Sequence, residues 1–376
     1  FAHVYAAMDR VTARTESYTA LLAMSSTRIY RFEAINNAGS SGWYLGDGVL
    51  LLHGGSASDY QSARYSSMDK LRIPGTTVSS YKRENVGYTT DTGLLNRSAF
   101  VGGAYSDDYA AAAMFLAYSP ADKMGNFVSD LVAQKAYFFF DDEIVCVGAG
   151  INADYTAGGK TNVGDVYTII ENVSGTGRTL FVNGRQTSLS ENVETVSAGV
   201  GYATLSGWCG YVFPEATDVT MQRKSNGMFQ MFVDHGAKPV NAAYAYVMLP
   251  GASDAETAAY AAAPDVEIVC ASNIVTHVVE TTLGVEGYVF WYGTYYDGIR
   301  TTDGAIILRE TNADGSVTYR VSEPTQLLST LTLTLDGAYT VTGENLTWSV
   351  SGGQTVVTLT TNGALGATFT FTVTPN

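Results

Sequence analysis

Three consecutive acidic residues, Asp141, Asp142 and Glu143, follow an aromatic run at Tyr137–Phe140 that is typical of a buried strand. Carboxylate oxygens crowded at one end of a strand suit a hard cation such as Ca²⁺. Strand alternation sends Asp141 and Glu143 to one face and Asp142 to the other, so at most two of these side chains converge unless a bulge intervenes. The triplet predicts a metal site, and a solvated strand end is the alternative.

No sequence motif completes an active site. The sequence contains neither the G-x-S-x-G elbow of a serine hydrolase nor the H-E-x-x-H pair of a zinc protease. Gly158–Thr161 resembles the end of a phosphate-binding loop, but the first glycine of that pattern and the helix after it are missing. The four histidines are scattered and are interpreted as structural hydrogen-bonding groups: His3, His53, His235 and His277.

The elements that must position these residues are predominantly β-strands. The 39 glycines, 25 tyrosines and only 8 prolines indicate many strands joined by tight turns. Leu331–Leu335 alternates leucine with threonine, and Asp336-Gly337 then supplies a hairpin turn. This pattern predicts a β-sandwich from residue 266 to the end.

The first two-thirds of the chain has longer apolar strands, such as Ile144–Val147, which predict sheets that are packed on both faces. Ser253 and Glu256 form a capping-box pattern that opens an alanine-rich helix, and Pro264 ends it. The alanine run Ala110–Ala113 fits a helix or a strand. We therefore predict an all-β chain with a large antiparallel β-sandwich at 1–252, a helical connector at 253–265 and a smaller β-sandwich at 266–376.

Charge excludes two classes of partner. Lys and Arg total 21 against 36 Asp and Glu, a net charge of −15, which is the wrong sign for binding nucleic acid or an anionic membrane. No apolar run approaches the roughly 18 residues that span a bilayer. The chain begins at Phe1 instead of Met, so we expect an upstream part to be missing.

Four motifs between residues 24 and 78 carry a family resemblance: Met24-Ser25-Ser26-Thr27-Arg28, Phe32-Glu33-Ala34-Ile35-Asn36, Gly42–Gly48 and Leu71–Val78. Their series resembles the central β-domain of polysaccharide lyase family 8, the hyaluronate, chondroitin AC and xanthan lyases. That domain shows M-S-S-x-R, Y-E-x-x-N, G-W-Y-x-G-D-G and L-P-G-T-T in this order. The resemblance continues through Lys135–Gly150 and Asp234-His235-Gly236 and weakens after about residue 290.

The resemblance implies a supersandwich fold and a secreted bacterial enzyme that cleaves an acidic polysaccharide, namely hyaluronan, chondroitin or xanthan, by β-elimination. A base removes the C5 proton of a uronic acid while the C4 oxygen departs, and no cofactor is required for this chemistry. In the family an N-terminal α/α-toroid supplies an Asn, a His and a Tyr. No segment here has the pattern of that toroid, so we expect it as a partner and expect this chain to be inactive alone. A non-catalytic carbohydrate-binding or scaffold protein is the alternative.

The resemblance also implies roles for particular residues. Glu33 matches the glutamate that hydrogen-bonds the toroid's catalytic cluster, and Asn36 matches the asparagine beside it at the substrate. A carboxylate there can orient an arginine or a tyrosine, and an amide can bind a sugar hydroxyl without adding repulsion. A surface strand and its turn is the other interpretation of this pair. Arg28 is expected either to bind the polyanion or to hold Glu33.

Trp43 offers a flat face on which a sugar ring can stack, with core packing as the alternative. Arg72 belongs to a turn that we interpret as structural. Because the chain is acidic overall, positive charge for the substrate must come from Arg28, Arg31 and Arg72 or from the toroid. Some family members hold a calcium at the triplet that matches Asp141–Glu143. Because the family's elimination does not require a metal, we expect the role of a metal there to be structural.

Overall fold

The computed structural model describes residues 1–33, 39–54, 62–86, 94–122, 124–154 and 164–376. Over this part of the chain, strands dominate, and no helix there is long and apolar enough to cross a membrane. Two α-helices are described, α1 at Ser62–Ser67 and α2 at Asp254–Ala262, with one 3₁₀ turn at Ala6–Met8.

The strands follow one another in this order: β1 Ala2–Tyr5, β2 Arg10–Arg14, β3 Thr19–Ala23, β4 Val49–His53, β5 Thr77–Ser79, β6 Val101–Tyr105, β7 Ala110–Ala117, β8 Val132–Phe139, β9 Ile144–Asn152, β10 Val166–Ser174, β11 Leu180–Val182, β12 Arg185–Thr187, β13 Thr195–Leu205, β14 Cys209–Arg223, β15 Met228–Asp234, β16 Ala242–Pro250, β17 Val266–Ala271, β18 Val275–Glu280, β19 Val285–Phe290, β20 Tyr295–Tyr296, β21 Ile299–Thr301, β22 Ala305–Thr311, β23 Val317–Ser322, β24 Thr330–Asp336, β25 Tyr339–Gly343, β26 Leu346–Ser351, β27 Gln354–Thr360 and β28 Phe369–Pro375.

These strands form four antiparallel sheets. The first sheet is β1-β2-β3-β4. The large sheet has twelve strands, with the path β12-β11-β13-β14-β16-β9-β8-β7-β6 and with β10, β15 and β5 paired beside it. The third sheet is β17-β18-β19-β22-β23-β28-β25, and the fourth is β20-β21-β24-β27-β26. The predicted all-β class, a large antiparallel sandwich followed by a smaller one, is confirmed.

Strand β8 shows how the sheets stack. Tyr137 and Phe139 point into the core between the large sheet and the first sheet, whereas Phe138 points into the core shared with the third sheet. All three are fully buried, as expected for successive residues of a strand that is covered on both faces. A further core, containing Leu331, Leu333 and Leu335, lies between the third and fourth sheets. The predicted alternation of Leu331–Leu335 is therefore confirmed.

Helix α2 begins as the sequence predicts. The Ser253 hydroxyl accepts a hydrogen bond from the Glu256 amide, and the Glu256 carboxylate accepts one from the Ser253 amide. The Ala110–Ala113 run is part of strand β7 and not of a helix. Because the core around Phe138 includes Val289 of the third sheet, the large and third sheets share a buried interface. The domain division at residues 253–265 stays a prediction.

Two glycine turns dock the loops of the family motifs onto the large sheet. Gly48 has φ +83°, and a Cβ added there would lie 2.2 Å from the Tyr137 hydroxyl oxygen. Gly75 has φ +84°, and its Cβ would lie 2.4 Å from the Gly48 carbonyl oxygen. A side chain at either position would face both backbone strain and a steric clash.

We expect Gly48→Ala to lower the free energy of unfolding by about 3 kcal/mol, because left-handed strain and overpacking add at this position. Gly315→Ala is the matched control, since Gly315 has φ +81° and nothing within 4 Å of an added Cβ. Gly315→Ala therefore introduces the backbone strain without the steric clash. Urea unfolding of both variants measures the difference, and equal losses would contradict the packing argument.

Candidate functional site

Glu33 lies on the loop between β3 and β4, and it is exposed. The loop returns on itself here: a Cβ added to Gly39 would lie 2.1 Å from the Glu33 carbonyl oxygen. Asn36, the second predicted catalytic residue, lies outside the described residues. The exposed Glu33 carboxylate can accept charge-assisted hydrogen bonds from an arginine or a tyrosine that another segment brings to it.

A buried ion pair anchors this loop beside Glu33. The Arg31 guanidinium donates to the Asp47 carboxylate, and the two side chains are 1% and 0% exposed. The Tyr118 hydroxyl donates to the other oxygen of Asp47, and the Arg31 guanidinium lies 3.9 Å from the centre of the Tyr118 ring. Burial raises the pKa of Tyr118 well above its ordinary value, so its hydroxyl stays protonated as a donor. Asp47 is the aspartate of the Gly42–Gly48 motif, which explains why that motif and Arg31 occur together.

Trp43 is placed in the core and not on an open surface. It is 7% exposed, and its indole N–H donates to the Glu84 carbonyl oxygen at 3.0 Å. The Arg83 guanidinium lies 5.7 Å from its ring and 3.8 Å from the ring of Phe127. Burial within a core cluster favours the alternative of core packing, and sugar stacking on Trp43 stays a prediction.

Arg28 does not hold Glu33. Its guanidinium donates to Asp9 Oδ1 at 3.1 Å, and it also binds four backbone carbonyl oxygens. Those carbonyls belong to Ala99, Val101, Pro324 and Thr325. The side chain therefore fastens the first sheet to the segment between β23 and β24. Substrate binding by Arg28 stays a prediction that this geometry disfavours, since its terminal N–H groups are already used.

The third arginine, Arg72, is paired as well. Its Nη2 lies 2.6 Å from Glu194 Oε1, and its Nη1 donates to Gln230 Oε1 at 3.0 Å. Arg28, Arg31 and Arg72 are thus each matched by a carboxylate. The charge of each of these three arginines is therefore already engaged by a carboxylate of the protein.

Lys135 is a buried, hydrogen-bonded lysine whose importance was not predicted from the sequence. It is fully buried in strand β8, where its ammonium group donates to the Gly75 carbonyl at 2.5 Å and to Thr77 Oγ1 at 3.1 Å. A chain of hydrogen bonds continues from Thr77 through Thr168 to His235 Nε2. Burial lowers the pKa of Lys135 to about 7 and that of His235 to about 4. The one sequence signal is a lysine inside a strand that is apolar apart from Lys135 itself and Gln134.

The acidic triplet does not converge as a metal site. It lies in the turn between β8 and β9, where Asp141 and Asp142 are exposed and Glu143 is buried. The Tyr260 hydroxyl lies 3.5 Å from Glu143 Oε1. Among the described residues, the triplet is not one of the groups whose ligand atoms lie within 4.8 Å of one another. Because Glu143 is buried while Asp141 and Asp142 are exposed, the three carboxylates are not brought together here, and calcium binding at Asp141, Asp142 and Glu143 stays a prediction.

The raised pKa of the buried Glu143 carboxyl group predicts that the free energy of unfolding depends on pH. Burial, together with the charges of Asp141, Glu280, Asp265 and Asp142, raises its pKa to about 8 from an ordinary value near 4.5. The folded protein therefore holds this proton more tightly than the unfolded chain, so the stabilisation is complete below about pH 4.5 and is lost as the pH rises through about 8.

We expect wild type to lose stability relative to Glu143→Gln between these pH values, by up to about 5 kcal/mol. Urea unfolding at a series of pH values measures it. Glu267→Gln, at an exposed carboxylate, is the control and should follow wild type. If the free energies of unfolding of wild type and Glu143→Gln changed in parallel with pH, the raised pKa of Glu143 would be contradicted.

Comparison with known proteins identifies the fold's family. The model of the polysaccharide lyase family 8 super-sandwich domain matches residues 1–261. The chain belongs to polysaccharide lyase family 8. The resemblance drawn from the four motifs is thereby confirmed, and Glu33, Trp43 and Asp47 all lie within the matched residues of this family 8 chain.

Characterised lyases resemble the family 8 chain over most of its length. The xanthan lyase of Bacillus sp. (strain GL1) is 32% identical in an alignment 404 positions long. The alignment covers 97% of this chain and 41% of the relative. Hyaluronate lyase HylB of Enterococcus faecalis is 29% identical over 89% of this chain and 35% of the relative. The solved structure of Paenibacillus xanthan lyase superposes with a TM-score of 0.84 at 25% identity and covers 100% of this chain. The chain spans 37% of that solved protein.

Proposed function

We propose that this chain is the β-portion of a secreted bacterial polysaccharide lyase that cleaves a uronic-acid-containing polysaccharide by β-elimination. It forms one wall of a substrate cleft, and an N-terminal α/α-toroid forms the other. The observation that carries the proposal is the family 8 match over residues 1–261, with Glu33 of the Phe32–Asn36 motif exposed at its surface.

The fraction of each relative's length that this chain covers supports a further segment as partner. The chain spans 41% and 35% of the two relatives above, so more than half of each has no counterpart here. The outer face of the first sheet also carries exposed apolar side chains, Tyr5, Met8 and Leu21, around a pocket of about 400 Å³. A contiguous apolar face of this kind is typical of an interface. We propose that the toroid segment covers it.

The proposed mechanism divides the work between the two segments. Elimination needs a base at the C5 proton, an acid at the departing C4 oxygen and a neutralising group on the uronate carboxylate. We assign the base and the acid to the toroid from the family resemblance. We assign the positive charge to it as well, because Arg28, Arg31 and Arg72 are already paired here. Glu33 then positions a toroid arginine or tyrosine, and Asn36 binds the substrate.

The test is an assay of the complete enzyme on hyaluronan, chondroitin and xanthan, with the products examined by ultraviolet absorbance and mass spectrometry. Elimination gives an unsaturated uronate that is lighter by one water than the product of hydrolysis. We expect unsaturated products from at least one of the three polymers, and the best substrate then defines the enzyme. Binding without cleavage would support the rival function of a non-catalytic carbohydrate-binding protein.

A further inference from the structure

Three potential metal ligands meet at the inner face of the C-terminal sandwich: His277 on β18, Glu286 on β19 and Asp297 in the turn between β20 and β21. Their ligand atoms all lie within 4.8 Å of one another. His277 is buried, Glu286 is partly buried and Asp297 is exposed, so the group opens to solvent on one side. It lies outside the family motifs and outside the proposed substrate wall.

The sheet register explains why the first two ligands face the same way. His277 lies directly opposite Tyr288, and Val279 lies opposite Glu286, in the antiparallel pair of β18 and β19. Residues that are directly opposite or two apart along a strand share a face, so the imidazole and the carboxylate project together. Asp297 reaches them from a hairpin turn in which it adopts a left-handed conformation with φ +50°.

One hydroxyl–carboxylate contact inside the group lacks a proton. The Tyr288 hydroxyl contacts Glu286 Oε2 and also lies 2.8 Å from Asp297 Oδ2. This hydroxyl has a single proton, so it can donate to only one of the two carboxylates. The other carboxylate then faces an oxygen lone pair at contact distance, which is unfavourable unless a proton or a cation lies between them.

The imidazole has a tautomer that suits a metal ion. His277 Nδ1 lies 3.4 Å from the Tyr296 hydroxyl, which can accept its proton, and this leaves the Nε2 lone pair directed at Glu286 Oε2, 3.1 Å away. Two ligands of one tetrahedral or octahedral ion are separated by about this distance, since bonds of roughly 2.0–2.2 Å join each to the metal. The Arg309 guanidinium contacts the other oxygen, Glu286 Oε1, at 2.6 Å, so Oε2, which faces His277 and the Tyr288 hydroxyl, is the oxygen that a metal ion would take.

We propose that His277, Glu286 and Asp297 bind one divalent transition-metal ion, with Zn²⁺ as the best match. One imidazole nitrogen and two carboxylates are ligands that zinc takes in proteins, and water completes the fourth position on the exposed side of Asp297. Calcium is a poor match, because it requires six to eight oxygen ligands. The metal has a structural role: it joins the β20–β21 hairpin of the fourth sheet to two strands of the third sheet.

Isothermal titration of the metal-stripped chain with Zn²⁺ tests the proposal. We expect one ion per chain and at least about tenfold weaker binding in Asp297→Asn and in His277→Gln, since each removes one of three protein ligands. Asp303→Asn, at an exposed acid just after β21, is the matched control and should bind like wild type. Asparagine tolerates the left-handed conformation at 297, so this variant decides the question even where the buried His277→Gln fails to fold.

Thermal unfolding gives a second measurement. A ligand that binds only the folded state raises its stability in proportion to the logarithm of its concentration, so Zn²⁺ should raise the Tm of wild type and of Asp303→Asn but not that of Asp297→Asn. Absence of Zn²⁺ binding by wild type, or equal binding by wild type and Asp297→Asn, would overturn the proposal. In the first case, a proton and not a metal ion lies between the Tyr288 hydroxyl and the second carboxylate.

Discussion

Alanine in place of Glu33 is expected to lower kcat of the complete lyase by about 100-fold, equivalent to roughly 2.7 kcal/mol of transition-state stabilisation. The proposed reason is positional: the exposed Glu33 carboxylate holds a toroid arginine or tyrosine in the geometry that elimination requires. Because Glu33 acts through another group, kcat should fall while KM changes little. The Tm should stay constant, since an exposed side chain contributes little to packing.

Two further variants make this result specific. Glu33→Gln keeps one accepting oxygen and should recover part of the activity, which a merely structural role would not require. Glu84→Ala removes another exposed carboxylate on a neighbouring loop and should leave kcat unchanged. Steady-state kinetics with the best of the three polysaccharides measures all three variants. Equal turnover for wild type and Glu33→Ala would remove Glu33 from the site.

Asp47→Ala is expected to lower the free energy of unfolding by about 3–5 kcal/mol. The substitution leaves the Arg31 guanidinium, which is 1% exposed, without its carboxylate in the core. It also removes the acceptor of the Tyr118 hydroxyl. An uncompensated buried charge costs far more than the ion pair contributes relative to an apolar pair of the same volume. The loop that carries Glu33 should loosen as well, since Arg31 lies on the same loop, two positions before Glu33.

A double variant distinguishes this cause from a simple loss of volume. Arg31→Met with Asp47→Leu removes both charges and should recover most of the lost stability. Asp154→Ala breaks the exposed pair with Lys238 and serves as the control, with an expected loss below about 1 kcal/mol. Urea unfolding gives all three values. A loss for Asp47→Ala no greater than that for Asp154→Ala would contradict the role of the buried pair.

Local patterns predicted the local structure well. The leucine alternation at Leu331–Leu335 and the capping box at Ser253 both depend on residues within a few positions of one another, and both are present. The motif series also indicated the family, because glycines such as Gly48 occupy turns that other residues cannot adopt. These features are encoded in short stretches of sequence, so they can be interpreted without the tertiary structure.

Side-chain roles were harder to predict, because they depend on distant parts of the chain. Trp43 and Arg28 look like ligands for a sugar and a polyanion, but the Glu84 carbonyl and Asp9 engage them. Lys135 donates to the Gly75 carbonyl, which lies 60 positions away in sequence. A residue type and its neighbours do not reveal which backbone groups will surround it after folding.

The most direct test of the central claim compares this chain with the complete enzyme in one assay, the appearance of unsaturated uronate from hyaluronan, chondroitin and xanthan. The account predicts unsaturated product from the complete enzyme and none from the chain alone at the same concentration, because the base and the acid are assigned to the toroid. Cleavage by the chain alone at a comparable rate, or a complete enzyme that forms no unsaturated product, would contradict it.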